Sequence, residues 1–378
     1  MRCALILLLL LPLATAHCSG SEPTPRWKTR VEQFGYESAP RKMFQPVRLS
    51  AAFTDNGHVV IGWIAPIVTK DNKHTSPKLG EAAHVHVVVI DAKTGQKQGE
   101  KEWQTRFTYS VPLLARTDDG NFLLCTDDAV RVVSVMLDTV QEKHLSAHAS
   151  CKISPSGHTL LVTTVLEQTR RIELLNTKTF KILSRWTEQF PDGDRTFAIS
   201  DRELLGSCAK PAELCIRRFN EGWRPFRVAG QQRRMAAAES IIAAFVNDQT
   251  IGIASTTLML TSTDGAVLRL ISPTDKRLFG SPPIPSSTGE SFVVVEGRMR
   301  GVRNDVLDMY PFYATDNATV YRIKDDHPLF SLKLQGTSPW TGHIIDNVAA
   351  LSPDGRSLAL ISDGVLEVFG VTDGTEKP

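Results

Sequence analysis

The residues able to bind or react are few and scattered. His84 and His86 give the one metal-like spacing: alternate residues of a strand point to one face, so two imidazoles can share an ion. A site needs a third ligand, and none is near in sequence, although His74 in the preceding segment could approach. The competing reading is two polar side chains on a half-exposed strand. Between residues 217 and 234, Arg217, Arg218, Arg224, Arg227, Arg233 and Arg234 stand against a single acid, Glu221, with Trp223 and Phe226 interleaved. Guanidinium planes beside aromatic faces hold phosphates, carboxylates or sugars, which makes Arg217, Arg218, Trp223, Arg224 and Arg227 the candidate binding residues. The alternative is a solvated sheet edge whose charge discourages pairing between molecules. Arg298, Arg300 and Arg303 line the same face if both clusters fall in loops.

Catalytic motifs are missing. The sequence has no GxSxG elbow, no HExxH, no phosphate-cradling GxxxxGK[ST] and no GxGxxG after a strand. The carboxylate pairs Asp118 and Asp119, Asp127 and Asp128, and Asp325 and Asp326 sit mostly at turns, where structural use suffices. No cofactor is implied. Lys and Arg number 43 against 41 Asp and Glu, a net charge of +2, which argues against a general nucleic-acid or membrane-surface binder. Asn317-Ala318-Thr319 is a glycosylation sequon, meaningful only in a source that glycosylates exported proteins.

The start of the chain carries an export signal. Arg2 precedes an unbroken apolar run from Ala4 to Ala14 and then Ala14-Thr15-Ala16, the small-x-small pattern that a signal peptidase accepts. Cleavage between Ala16 and His17 removes residues 1–16. The run is too short to span a bilayer core, which needs about 20 residues as a helix, and no later stretch is long enough. Cys18 raises the alternative of a lipid anchor, against which His17 occupies the place where a small residue is wanted. The mature chain is expected to be secreted or periplasmic and monomeric. Of the 6 cysteines, Cys3 leaves with the signal. Cys208 and Cys215 can clip a hairpin, Cys125 and Cys151 can link neighbouring strands or stay as buried thiols, and Cys18 is the spare.

The framework that must position these residues is repetitive. Four tetrads share one form: Thr54-Asp55-Asn56-Gly57, Thr117-Asp118-Asp119-Gly120, Ser154-Pro155-Ser156-Gly157 and Ser352-Pro353-Asp354-Gly355. Each supplies turn chemistry and is followed by a β-prone apolar run. A second turn recurs 18 or 19 residues after the glycine, at Asp138, Asn176 and Asp373, and each ends a third strand. The first unit carries the same element, Val85 to Ile90 before Asp91, displaced by an insertion from Ile67 to Glu81. Between Gly157 and Gly355 the tetrads lapse, yet Phe197–Cys208 with Leu214–Phe219, Ala243–Ser255 with Leu258–Ile271, and Phe292–Val295 with Phe312–Ile323 read as three degenerate copies. The insertion and the Pro-rich segment from Ser281 to Pro285 read as long interruptions. The only helical pattern is Gln232 to Phe245. Val47 to Gly370 thus divides into seven units of about 46 residues.

A four-stranded sheet repeated seven times buries both its faces by radial stacking. The expected fold is all-β: a β-propeller of seven four-stranded blades, rather than an open solenoid. Residues 47–378 form the propeller, and residues 17–46 form an N-terminal segment. Because the last unit ends too soon for a fourth strand, a strand within Arg26–Leu49 completes that blade and closes the ring. Leu351-Ser352-Pro353-Asp354-Gly355-Arg356 and Val89-Ile90-Asp91-Ala92-Lys93-Thr94-Gly95 resemble repeat phrases of WD-repeat-like and YVTN-type quinoprotein-like propellers. No unit shows the Gly-His and Trp-Asp pair of true WD repeats, so their internal hydrogen-bond network is not expected. The resemblance implies a fold, and that fold hosts both scaffolds and enzymes.

Two functions follow as expectations. The first is an exported, non-enzymatic scaffold that engages a protein or cell-envelope ligand with loops at one end of its ring. The second is a propeller hydrolase or lyase with a site at the channel mouth, working with or without a metal ion. The channel lining discriminates between them: three or more inward carboxylates or imidazoles favour the enzyme, and an apolar lining favours the scaffold.

Overall fold

In the second and third strand of a blade both faces must be apolar, and the chain supplies this. In blade 2 the strands Phe122–Cys125 and Ala129–Val133 are buried at every position, whereas the outer strand Thr139–His144 is exposed or half-buried throughout. The outer strand of blade 3, Ile182–Gln189, likewise alternates along its length. This gradient from an apolar interior to an amphipathic rim recurs around the molecule.

The computed structural model describes residues 23–36, 49–66, 79–108, 111–146, 149–189, 196–208, 213–230, 242–254, 256–273, 278–279, 282–302, 310–325, 327–334, 348–362 and 364–372. They form seven antiparallel sheets in chain order, with one short 3-10 turn at Val31–Phe34. The first strand of each blade touches the first strand of the next, and that of the seventh touches that of the first, so the ring closes. Every seam is filled by its own apolar cluster. Leu124 and Val133 meet Val87 and Val89 between blades 2 and 1, Phe245 and Ile251 meet Ile216 between blades 5 and 4, and Ile361 and Val368 meet Ile61 and Ile90 between blades 7 and 1.

Blade 7 consists of Val348–Leu351, Ser357–Ser362 and Val365–Gly370, and Trp27–Arg30 supplies its outer strand. Trp27 pairs with Val368 and Arg30 with Val365. The expected closing strand is therefore present. Its first residue also reaches blade 1: the Trp27 indole donates to Ala92 O at 2.9 Å and lies against Gly95, where an added Cβ would stand 2.7 Å from the ring. Arg26 Nη1 donates to Ser357 Oγ at 3.0 Å.

Three readings need correction. The segment from Ser281 to Pro285 is not a plain interruption, since Ile284–Pro285 pairs with Val293 and Phe292 as an inner strand of blade 6. A fifth tetrad follows it, Ser286-Ser287-Thr288-Gly289. There Gly289 N–H donates to Ser286 O at 2.9 Å and Gly289 has φ of 67°, as Gly355 does at 71° in its own turn. Ile242–Asn247, the end of the helical pattern, is the first strand of blade 5. The degenerate copy from Ala243 to Ser255 covers this strand and the next, so the overlap of the two patterns resolves as strand, while residues 232–241 lie outside those described.

The two disulfides join Cys125 to Cys151, with Cα atoms 6.4 Å apart, and Cys208 to Cys215, with Cα atoms 5.2 Å apart. The first crosses from the second strand of blade 2 to the first strand of blade 3, Ala149–Ile153. The second spans the hairpin of Glu203–Ser207 and Leu214–Arg218 in blade 4. Residues 1–22, with the expected cleavage site and Cys18, lie outside the described residues.

Replacing Trp27 with Ala removes the indole bond and most of the packing that joins the N-terminal strand to blade 1. The expected loss is roughly 2–4 kcal/mol, a little under that of a fully buried tryptophan, measured by denaturant unfolding. An unchanged midpoint would show that closure does not depend on this strand.

Candidate functional site

Seven first strands converge on one axis, so the space there admits small or flat side chains. The resulting channel encloses about 430 Å³ and is walled by Ala51, Ala115, Ala198, Ala244 and Ala350, with Phe53, Leu113, Ile153, Phe245, Pro283 and Leu351. Two cations interrupt this wall, Arg116 and Lys152. The described lining residues include no Asp, Glu or His. Arg116 ends the first strand of blade 2, and its Nη1 donates to Ser287 Oγ of blade 6 across the channel. Its Nε is shut off from solvent and has no hydrogen-bond partner among the described residues. Sequence reasoning missed both residues, although a charge inside a run such as Leu113-Leu114-Ala115-Arg116 was a visible anomaly.

The turn between first and second strands lies at one end of the channel in every blade, and these turns bond to one another. His158 Nε2 lies 2.9 Å from Asp118 Oδ2, joining blades 3 and 2. Ser156 Oγ donates to Asp201 Oδ2 at 2.6 Å, and Asp201 N–H donates to Asp248 Oδ1 at 2.9 Å, joining blades 3, 4 and 5. Asn247 Nδ2 donates to Gly289 O at 3.0 Å, Thr288 N–H to Pro353 O at 3.4 Å and Asp354 N–H to Asn56 Oδ1 at 3.2 Å, carrying the chain of contacts through blades 6 and 7 to blade 1. Gly157 shows how close the turns approach: φ is 83° and an added Cβ would meet Arg116 O at 2.7 Å. The carboxylates of this end are thus bound up in turn geometry. The Ser156 hydroxyl is held by Asp201 and not by the His158 ring, so the group lacks the nucleophile–base hydrogen bond that covalent catalysis needs. Of the remaining acid pairs, Asp128 accepts from Thr105 Oγ1 at 2.7 Å and from Thr126 Oγ1 at 2.8 Å.

The arginine-rich segment is drawn into a different network, at the rim between blades 3 and 4. Glu188 on the outer strand of blade 3 accepts from the Trp186 and Trp223 indoles, each at 2.8 Å, and from Arg170 Nη2 at 3.2 Å. Arg217 stacks on Trp186 with its guanidinium 4.0 Å from the ring centre, and its Nη1 lies 3.5 Å from Glu188. Burial opposes the Glu188 carboxylate, but the Trp223 and Trp186 hydrogen bonds and the Arg170 charge outweigh it and hold its pKa below the usual glutamate value. Arg218 and Arg224 reach Glu203 at 3.3 and 3.9 Å. Arg227 is exposed. Four of the five candidate binding residues therefore have partners within the protein. Arg233, Arg234 and Arg303 lie outside the described residues, as do the side chains of Arg298 and Arg300.

His84 and His86 lie on the third strand of blade 1 opposite Glu102, with Nδ1 atoms 3.1 and 2.9 Å from its two oxygens. The His86 hydrogen bond, against a smaller effect of burial, lowers the Glu102 pKa. Trp63 stacks on His86 at 4.4 Å. Among the described residues no group of three or more His, Cys, Asp or Glu side chains is arranged to hold a metal, and His74 lies outside them. Asn317 of the sequon is buried in the third strand of blade 6, opposite Glu296 and Lys333.

No family model matches the chain, and no curated protein does. Solved structures similar to it include a streptogramin B lyase, 12% identical over 92% of this chain and 98% of its own, with a TM-score of 0.48. The Dos1 propeller is 9% identical, covering 93% and 95%, with a TM-score of 0.46. TolB from Acinetobacter baumannii is 14% identical, covering 83% and 81%, with a TM-score of 0.40. At these values the likenesses carry no argument about activity.

The Glu188 network makes stability depend on pH. Because its folded pKa lies below the unfolded one, its contribution is complete above the unfolded value of about 4.3 and is lost as pH falls through the folded value. Glu188→Gln should lower Tm at pH 7, and the gap from the parent should narrow over the acid range below the unfolded value. A constant gap in thermal melts across that range would contradict the assignment.

Proposed function

We propose that this chain is an exported propeller that works as an interaction scaffold, engaging a protein or cell-envelope ligand at the end of the ring opposite the bonded turns. The observation that carries the reading is the channel lining: apolar walls with two cations and, among the described residues, no acid or imidazole to serve as general base or metal ligand. Propeller enzymes would need such groups gathered from several blades.

The choice of end rests on the contrast between the two. At one, the tight turns are occupied with one another. The other end is where the second strands end and the third begin, and where each blade hands on to the next; the sequence between such strands runs from two residues, Leu166 to Thr169, to fifteen, Pro66 to Ala82. Loops held by a rigid scaffold are where binding commonly resides. Exposed apolar side chains occur at both ends, Leu79 at 59% and Leu166 at 42% on this one and Met136 at 79% on the other. Export is supported by the Ala4–Ala14 run with its Ala-Thr-Ala site, and by two disulfides, which oxidising compartments maintain. No helix among the described residues is long and apolar enough to cross a membrane.

A photoreactive residue at Leu166, in the exporting cell, should give one dominant adduct that excess unlabelled protein competes away, while one at Met136 on the opposite end should give none. Equal adducts from both ends would remove the assignment of the surface. Turnover of lactone, ester or glycan substrates by the purified protein would replace the scaffold with the enzyme. Mass measurement of the exported chain should show a protein that starts at His17; an added diacyl mass on Cys18 would make it a lipid-anchored form.

A further inference from the structure

The channel has a chemistry that neither ring closure nor docking at a loop end requires. A ring needs its axis filled by small side chains. It does not need a guanidinium there.

Arg116 brings a guanidinium cation to the channel wall. It presents five N–H donors in a rigid fork. Among the described residues its one side-chain partner is the neutral Ser287 hydroxyl, and its Nε is buried without a partner. The described lining residues offer no carboxylate to balance it. A cation held beside low-dielectric walls without a counter-charge is costly, and the fork matches a bidentate oxyanion. Apart from Lys152, Ser154 and Ser287, the side chains along the rest of the cavity are apolar, among them Phe53, Leu113, Ile153, Phe245 and Leu351. Its 430 Å³ falls in the range of about 300–1,000 Å³ typical of small-molecule sites.

We infer that the channel binds one small amphipathic anion, an acid group seated on Arg116 and Ser287 with a hydrocarbon portion of about ten carbons along the apolar walls. An inorganic anion alone would leave those walls in contact with water. An uncharged hydrocarbon would leave the guanidinium without its oxyanion. The inference stands whether or not the loop end binds a partner.

Calorimetric titration of the full exported chain tests it with decanoate, octanoate, decanol and acetate. Decanoate should bind at one site per chain, octanoate about tenfold more weakly because two methylenes lose their contacts, and acetate not measurably. Decanol should bind at least tenfold more weakly than decanoate. Arg116→Gln should remove that preference, lowering decanoate affinity at least tenfold and leaving decanol unchanged. Ala115→Leu narrows the same channel without touching the guanidinium and should weaken both ligands; it also serves if the Arg116 variant does not fold. Equal binding of decanoate and decanol by the parent protein would overturn the inference. So would parental decanoate affinity in an Arg116→Gln protein with an unchanged Tm, or in Ala115→Leu, as would failure of decanoate to bind.

Discussion

A blade cannot stand alone, and that constraint governs the molecule. Its second and third strands are apolar on both faces, so each blade is stable only between two others, and the first and seventh must meet. The chain resolves this by lending Trp27–Arg30 to blade 7. Trp27 then reaches across the seam to Ala92, so one side chain belongs to the sheet of the last blade and to the surface of the first. The seam it serves carries a large apolar cluster, with Val59, Ile61, Trp63 and Ile90 of blade 1 against Ala359, Ile361 and Val368 of blade 7.

Closure makes the two ends of the ring unlike. At one, short turns touch across six of the seven seams, and their aspartates and serines are engaged in holding neighbours. Residues with the look of a catalytic cluster, Asp118, His158, Ser156 and Asp201, are joints of this rim. At the other end the lengths of the connections vary between blades, from two residues between Leu166 and Thr169 to fifteen between Pro66 and Ala82. The channel between the two is narrow, apolar and cationic, a combination produced by convergence of the strands together with Arg116 and Lys152.

The legibility of the sequence varied with the locality of each signal. The tetrads at Gly120, Gly157 and Gly355 were readable because serine, threonine or aspartate together with glycine perform their turn chemistry within four residues. The copy at Ser286–Gly289 has the same hydrogen bonds but follows a proline run, and its strand of two residues, Ile284–Pro285, is too short for periodicity to register. The pairings of Cys125 with Cys151 and Cys208 with Cys215 stood among the readings that the spacings allowed. The arginine-rich segment was visible, whereas its partner Glu188 was not, since 29 residues separate Glu188 from Arg217 and only the packing of blade 4 on blade 3 unites them.

What the sequence by itself determined is the module: a turn, its flanking strands, their burial and their count, all fixed by backbone preference and by hydrophobicity along short stretches. Tertiary structure alone decided which side chains meet. Glu188 gathers the Trp223 indole and the Arg170 and Arg217 guanidiniums from outside its own strand, and Arg116 finds Ser287 171 residues away. Such meetings depend on the radial arrangement of the blades, whose angles arise from sheet twist and seam packing and leave no mark on any local window of sequence.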